Sequence, residues 1–166
     1  MSHELLKSHV NIVRLLGISW TQQKLKLTEK SFTIPVLLVE LASTLNGQPL
    51  TLELFIESSK IEPVSLETKM KLLADVASGL GALSALSVVH GDMKPSNVLI
   101  FQGHSGPTAK ISDFGFCISG DEELQAARGG TPLWNAPECL KEAPEDIGAQ
   151  KHKSTRDYYS FGLLIW

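Results

Sequence analysis

Cysteine is scarce in this chain: Cys117 and Cys139 are the two among 166 residues. That excludes the disulfide framework of a small secreted domain and points to a reduced, intracellular setting, with the cytoplasm as the expected compartment. Neither cysteine has a second at metal-binding spacing, and His3, His9, His90, His104 and His152 form no ligand cluster, so a zinc site is not expected. Long apolar runs are absent as well. The stretch from Val36 to Ala42 is broken by Glu40 and falls far short of the ~20 residues a membrane-spanning helix needs. No basic segment leads into an apolar one at the N-terminus, so a secretory leader is not expected. Positive charge is not in excess either. Fifteen Lys and Arg against 18 Asp and Glu give a formal net charge of −3, which offers no electrostatic case for nucleic acid or an anionic membrane. Repeats, low-complexity tracts and domain linkers are missing too.

What remains is a composition ordinary for a soluble globular chain, 43% hydrophobic and 20% charged. A chain of this size buries roughly 70% of its unfolded surface, enough for one real core. Residues 2–8 read as the stub of a helix closed by the polar turn Ser8-His9. The β-branched and leucine-rich runs Ile12–Ile18 and Ile34–Glu40 read as strands, joined by the polar connection Thr21–Lys30 and followed by a linker over Leu41–Gly47. Leu52–Glu57 suits a short helix. Leu66, Met70, Leu73, Ala77, Leu80 and Leu83 recur at three- and four-residue spacing, with Glu67, Lys69, Lys71 and Asp75 on other faces. That pattern predicts an amphipathic core helix capped by Ser65. Val98–Ile100 and Ala109–Ile111 read as two short strands around the turn-rich segment Gly103–Pro107.

The chemistry concentrates in His90-Gly91-Asp92-Met93-Lys94-Pro95-Ser96-Asn97 and in Asp113-Phe114-Gly115, whose aspartate follows Asn97 by sixteen positions. Phosphoryl transfer from a metal–nucleotide needs a carboxylate to orient a hydroxyl, a cation on the moving group and oxygen ligands for the metal. Asn97 and Asp113 flank the predicted hairpin, whose pairing would bring them to one site. Alone, an Asp-x-Lys-Pro turn is more often a surface turn with a local salt bridge. The context argues otherwise. These residues resemble the catalytic loop and metal-binding motif of the eukaryotic protein kinases. Thr131-Pro132-Leu133-Trp134-Asn135-Ala136-Pro137-Glu138 resembles the end of that family's activation segment, and Asp157-Tyr158-Tyr159-Ser160-Phe161-Gly162 the start of its central helix. Ser8 to Gly17 resembles the turn and strand after its regulatory helix. The motifs occur in the family's order from near residue 5 to residue 166.

The resemblance implies an α+β, two-lobed kinase-like fold in part: residues 1–42 as a remnant of the β-rich small lobe and 43–166 as the first half of the helical lobe. It implies a Ser/Thr protein kinase using ATP and Mg2+, acting on protein hydroxyl groups. Asp92 would be the catalytic base, Lys94 the cation on the phosphoryl group, and Asn97 and Asp113 the magnesium ligands. Glu40 and Ala42 would offer backbone groups to the adenine, with Leu99 packed beneath it; without the resemblance, these three read as an ordinary strand exit and a core residue. Lys94 and Thr131 favour Ser/Thr over Tyr as acceptor. Thr131 would contact the base and the lysine, or else serve only as a turn residue before Pro132. His90 and Phe114 would belong to an internal hydrophobic stack, and Asp157 would anchor the loop's backbone.

Departures from the pattern bear on function. Gly91 stands where the family usually has an arginine that grips a phosphorylated activation loop, and between Gly120 and Gly130 there is no Ser, Thr or Tyr. Asp121-Glu122-Glu123 supplies acid there permanently, so switching by loop phosphorylation is not expected. The 166 residues contain no G-x-G-x-x-G loop and no Val-Ala-x-Lys strand. The regulatory-helix glutamate would fall before Met1, for which Glu4 is a poor substitute, and Glu138 would lack its usual arginine partner. A truncated domain, or a gene fragment, is therefore expected to bind nucleotide weakly and turn over poorly. A missing segment or a partner would cover Tyr158–Trp166. A pseudokinase-like binding module stays open as the alternative, whereas a small-molecule phosphotransferase of the aminoglycoside or choline type shares the His-Gly-Asp start but is disfavoured by the downstream motifs.

Overall fold

The computed structural model describes residues 8–24, 31–60, 63–119, 129–139 and 155–165. Four antiparallel strand pairs and the helices between them make up these residues. Strand β1 (Leu15–Lys24) pairs with β2 (Ser31–Val39). The expected boundaries move here: Thr21–Lys24 belongs to the strand rather than to a connection, and β2 stops before Glu40. Backbone pairing continues through Gln22↔Thr33 and Gln23↔Phe32, because ladder hydrogen bonds do not require apolar side chains. Residues 2–7 of the helix stub expected at 2–8, and the rest of the connection, 25–30, lie outside the described residues.

The linker expected at Leu41–Gly47 is partly a tight hairpin. Strands β3 (Thr44–Leu45) and β4 (Gln48–Pro49) flank the two-residue turn Asn46-Gly47, a pair that suits such turns and was a readable signal. Helix α1 (Leu52–Ser58) follows, its N-terminus capped by Thr51 Oγ1, which accepts from the Leu54 N–H at 3.2 Å.

Helix α2 (Leu66–Ala85) is capped as expected by Ser65, whose hydroxyl accepts from the Thr68 N–H at 3.2 Å. Its buried stripe, however, is rotated from the one read in the sequence. Leu72, Val76, Gly79, Leu80 and Leu83 are buried, whereas Leu66 and Met70 are 73% and 58% exposed and Ala77 is exposed. Periodicity alone allowed both stripes. The buried one includes Gly79, whose missing side chain lets the helix approach the Asn11 carbonyl and the Ile111 side chain. Each fully buried Leu or Val gains ~1.5–3 kcal/mol over an exposed one, so this is the stripe that fixes the helix.

Strands β5 (Val88–Val89), β6 (Val98–Gly103), β7 (Gly106–Ile111) and β8 (Ile118–Ser119) complete the sheets, β5 pairing with β8 and β6 with β7. The β6–β7 hairpin is longer than expected, pairing down to Gly103↔Gly106 around a His104-Ser105 turn. The core is the stripe of α2 against Val98, Ile100, Ala109 and Ile111, joined by Ile12, Leu50, Leu52 and Met93. Polar groups lock the same layers. Asp75 of α2 accepts from the Ala109 N–H at 3.0 Å, and the buried Asn11 amide donates to the Ala109 carbonyl at 3.1 Å. Helix α3 (Thr155–Ile165) packs Phe161 and Leu164 on this core and leaves Tyr158, Tyr159 and Ile165 between 42% and 54% exposed.

Candidate active site

Strand β5 delivers the loop that begins at His90, and the start of α3 holds it. The Asp157 carboxylate accepts from the His90 N–H at 2.7 Å and from the Gly91 N–H at 2.9 Å. Burial pushes the Asp157 carboxyl up, and those two N–H groups only partly offset it. The fully buried His90 ring takes the Asp92 N–H on Nδ1 at 3.3 Å and lies 2.9 Å from the Ser112 carbonyl through Nε2. Since a carbonyl can only accept, the proton is assigned to Nε2. The Phe114 ring stacks on His90 with centroids 5.3 Å apart at 59°.

Gly91 has φ +82°, and a Cβ there would meet the Phe116 carbonyl oxygen at 2.5 Å. The left-handed backbone explains why glycine stands at this position.

Asp92 is buried and fully engaged. Its Oδ2 faces Lys94 Nζ at 2.8 Å and accepts from Asn97 Nδ2 at 3.0 Å, while Oδ1 accepts from Thr131 Oγ1 at 2.8 Å. Lys94 Nζ also donates to Thr131 Oγ1 at 2.7 Å. Burial alone would raise the Asp92 carboxyl. The Lys94 ammonium, the Thr131 hydroxyl and the Asn97 amide outweigh it and hold the group below the usual carboxylate range. Thr131 is thus more than a turn residue: it closes a triangle with the carboxylate and the ammonium.

Asn97 ends a single 3-10 turn, Pro95–Asn97, and its Nδ2 donates to both the Asp92 carbonyl, at 2.7 Å, and the Asp92 carboxylate. That orientation leaves Oδ1 as the atom a cation would meet. The Asn97 carbonyl accepts from the Ser112 N–H and Oγ, each at 2.9 Å, which brings the neighbouring Asp113 beside the loop. Asp113 is exposed and sits at φ +60°, a conformation costing a non-glycine residue ~1–2 kcal/mol. Among the described residues its Oδ1 accepts a local bond, from the Gly115 N–H at 3.3 Å.

An amide oxygen and a carboxylate are the hard donors that Mg2+ takes, usually one or two from protein with the rest from water and phosphate. The donor set fits. Among the described residues no group of three or more His, Cys, Asp or Glu could hold a metal by itself, so a nucleotide's phosphates would have to complete the shell.

Of the residues expected near a base, Ala42 is buried and Leu99 half-buried on β6. The Glu40 carboxylate is occupied, accepting from Lys110 Nζ at 2.7 Å and from the Arg14 N–H at 2.8 Å. The Glu40 N–H also donates, just past the end of the β1–β2 pair, to the Arg14 carbonyl at 3.0 Å, so a backbone contribution to a base falls to its carbonyl. Elsewhere, a groove of about 490 Å3 opens between α1, α2 and α3, lined by Phe55, Leu72 and Leu164 among others, and no catalytic-loop residue reaches it.

Sequence reasoning did not foresee Ser112, which joins the loop to Asp113, or Arg156. Arg156 is 3% exposed, and its Nη2 donates to the Gly91 carbonyl at 2.8 Å and the Gly129 carbonyl at 3.1 Å. A charged residue beside the anchoring Asp157 was the available signal.

The sequence model of the family described as protein tyrosine and serine/threonine kinase matches residues 2–166. The chain belongs to the protein kinase family. Among known proteins it is 36% identical over 103 residues to a dual serine/threonine and tyrosine protein kinase of Xenopus laevis, covering 62% of this chain and 10% of that one. It is 36% identical over 105 residues to the dual specificity protein kinase shkD of Dictyostelium discoideum, covering 61% and 13%. A serine/threonine/tyrosine-protein kinase of Arabidopsis thaliana is 30% identical over 118 residues, 69% of this chain and 27% of that one. The chain therefore spans a minor part of these relatives, and as little as 5% of another, from Acanthamoeba polyphaga mimivirus. The α+β kinase fold expected from the motifs is the fold of this chain, in part. Among the described residues no helix is long and apolar enough to cross a membrane.

Proposed function

We propose that this kinase-family protein transfers the terminal phosphoryl group of ATP to serine or threonine hydroxyls of proteins, in an intracellular, reduced compartment. The observation that carries the reading is the Asp92–Lys94–Thr131 triangle, with Asn97 bonded to the same carboxylate. Residues 1–42 would contribute part of the small lobe and 43–166 part of the helical lobe.

Asp92 is ionised at neutral pH and held from several sides, which makes it an acceptor that orients a substrate hydroxyl. A carboxyl lowered below its usual range is a weak base, so its work is positioning and late acceptance of the proton rather than early deprotonation. Lys94 places a cation where negative charge moves, and Thr131 fixes the geometry of both. Asn97 and Asp113 would hold Mg2+, which when bound neutralises the nucleotide phosphates. Glu40, Ala42 and Leu99 would line the adenine. Lys94 and Thr131 favour Ser/Thr as acceptor, although the relatives' names include dual specificity. The family match favours a protein substrate over a small molecule.

The test is phosphoryl transfer from labelled ATP to a generic basic protein, followed by phosphoamino-acid analysis, for wild type and Asp92→Asn. Label on Ser and Thr, reduced ~100-fold or more in the variant, is the expected result. A folded wild type that binds nucleotide but transfers nothing would instead leave a pseudokinase-like binding module.

A further inference from the structure

Besides the Thr131 side-chain bonds to Asp92 and Lys94, the catalytic loop and the segment carrying Thr131 meet through backbone. Gly130 has φ +100°, and a Cβ on it would lie 2.6 Å from the Gly91 carbonyl oxygen and 2.5 Å from Asn135 Oδ1. A Cβ on the adjacent Gly129 would run into the Phe116 ring. Such close backbone approach puts carbonyl groups of two separate segments side by side. The Gly91 carbonyl, turned by its left-handed backbone, and the Gly129 carbonyl both point to one buried guanidinium nitrogen. An Nη carries two hydrogens, one for each carbonyl. Burying a guanidinium costs several kcal/mol unless it is well bonded, so a residue kept there at 3% exposure marks a junction.

We propose that Arg156 is a positioning residue, a built-in clamp that fastens the Thr131 segment to the catalytic loop and so holds Thr131 against Asp92 and Lys94. The adjacent pair divides the work at Gly91: Asp157 takes its N–H and Arg156 its carbonyl. From the far side of Gly91, Arg156 reaches Gly129, two residues before Thr131. Asn135 Nδ2 reinforces the same carbonyl from within the segment at 3.4 Å. Because Arg156 is permanently charged, the clamp needs no added phosphate on the segment. Its kinetic consequence rests on the phosphotransfer reading above; its structural consequence does not.

Two variants test it, Arg156→Lys, which keeps a buried cation but falls short of the two carbonyls, and Arg156→Met, which keeps the bulk. The amides of Trp134 and Asn135, bonded to the Thr131 carbonyl at 2.9 and 3.1 Å, report on the segment, and the Ile100 amide, bonded to Leu50 at 2.8 Å, on the core. In both variants the first two should exchange ~10-fold faster or more, with Ile100 unchanged. Phosphoryl transfer should lose kcat ~10-fold with the KM for ATP unchanged, and that loss should vanish when Thr131→Val is already present. A folded variant with unchanged exchange, a loss fully additive with Thr131→Val, acceleration spread equally to Ile100, or failure of both variants to fold would each overturn the clamp. If the wild type transfers no phosphate, the phosphotransfer reading fails and the exchange rates still decide on the clamp.

Discussion

At the scale of single residues, conformation and charge explain what stands where. Gly91 departs from the family's arginine because the backbone is left-handed and a Cβ would strike the Phe116 carbonyl. Gly91→Arg is therefore expected to destabilise by at least ~2 kcal/mol, a fall in Tm of roughly 4–8 °C by calorimetry. Cys117 illustrates the opposite of activation. Burial, then the Asp157 and Asp113 carboxylates, push its thiol up to about 12, so alkylation at neutral pH should be roughly 100-fold or more slower than for a free cysteine. Mass spectrometry after iodoacetamide checks this. Asp92 has the converse shift, lowered, so its ionised form is stabilised by folding above the unfolded value, and that stabilisation is lost as pH falls through the lower, folded value. The acid limb of phosphotransfer should lie below the ordinary carboxylate range, and Thr131→Val, which removes a donor to Oδ1, should move it upward. The carboxylate, lysine and amide were legible in sequence because their spacing is tied to one loop. Arg156 and Ser112 were not, since their partners are backbone carbonyls brought near by folding, which no side-chain pattern encodes.

At the scale of elements, the existence of α2 and its Ser65 cap could be read, but not the stripe it buries. Leucine, valine and alanine occur on more than one face of α2, and only the partner decides which is inside. The partner is β7, approached where Gly79 offers no side chain. Leu80→Ala should cost ~2–5 kcal/mol, whereas Met70→Ala should stay within ~0.5 kcal/mol of wild type by denaturant unfolding. Leu80 belongs to both stripes, so Leu72 and Met70 separate them: Leu72→Ala should be costly in the same range, and a harmless Leu72→Ala with a costly Met70→Ala would contradict the observed packing. Strand limits drifted for a related reason: β1 and β7 extend through polar or glycine-containing pairs that hydrogen bonding sustains and hydrophobicity does not signal.

At the scale of the whole molecule, the described residues divide into a buried core under the catalytic loop and an apolar sheet open to solvent. Ile18, Trp20 and Leu37, at 56%, 67% and 62% exposure, fall on one face of the β1–β2 pair by register. The composition of that hairpin made it legible as strands, but nothing in it revealed exposure, which depends on what packs against it. A patch of this kind promotes association. Trp20→Lys with Leu37→Lys should lower concentration-dependent light scattering without lowering Tm. The core side of the molecule carries the functional claim, that Asn97 and Asp113 form a magnesium–nucleotide site on a kinase scaffold. Thermal shift of the purified chain with ATP and Mg2+, against ATP with chelator, tests it most directly. A rise in Tm that needs the metal and disappears in Asp113→Ala is the predicted result; a cooperatively folded chain whose Tm ignores Mg-ATP, or responds equally in the variant, would contradict it.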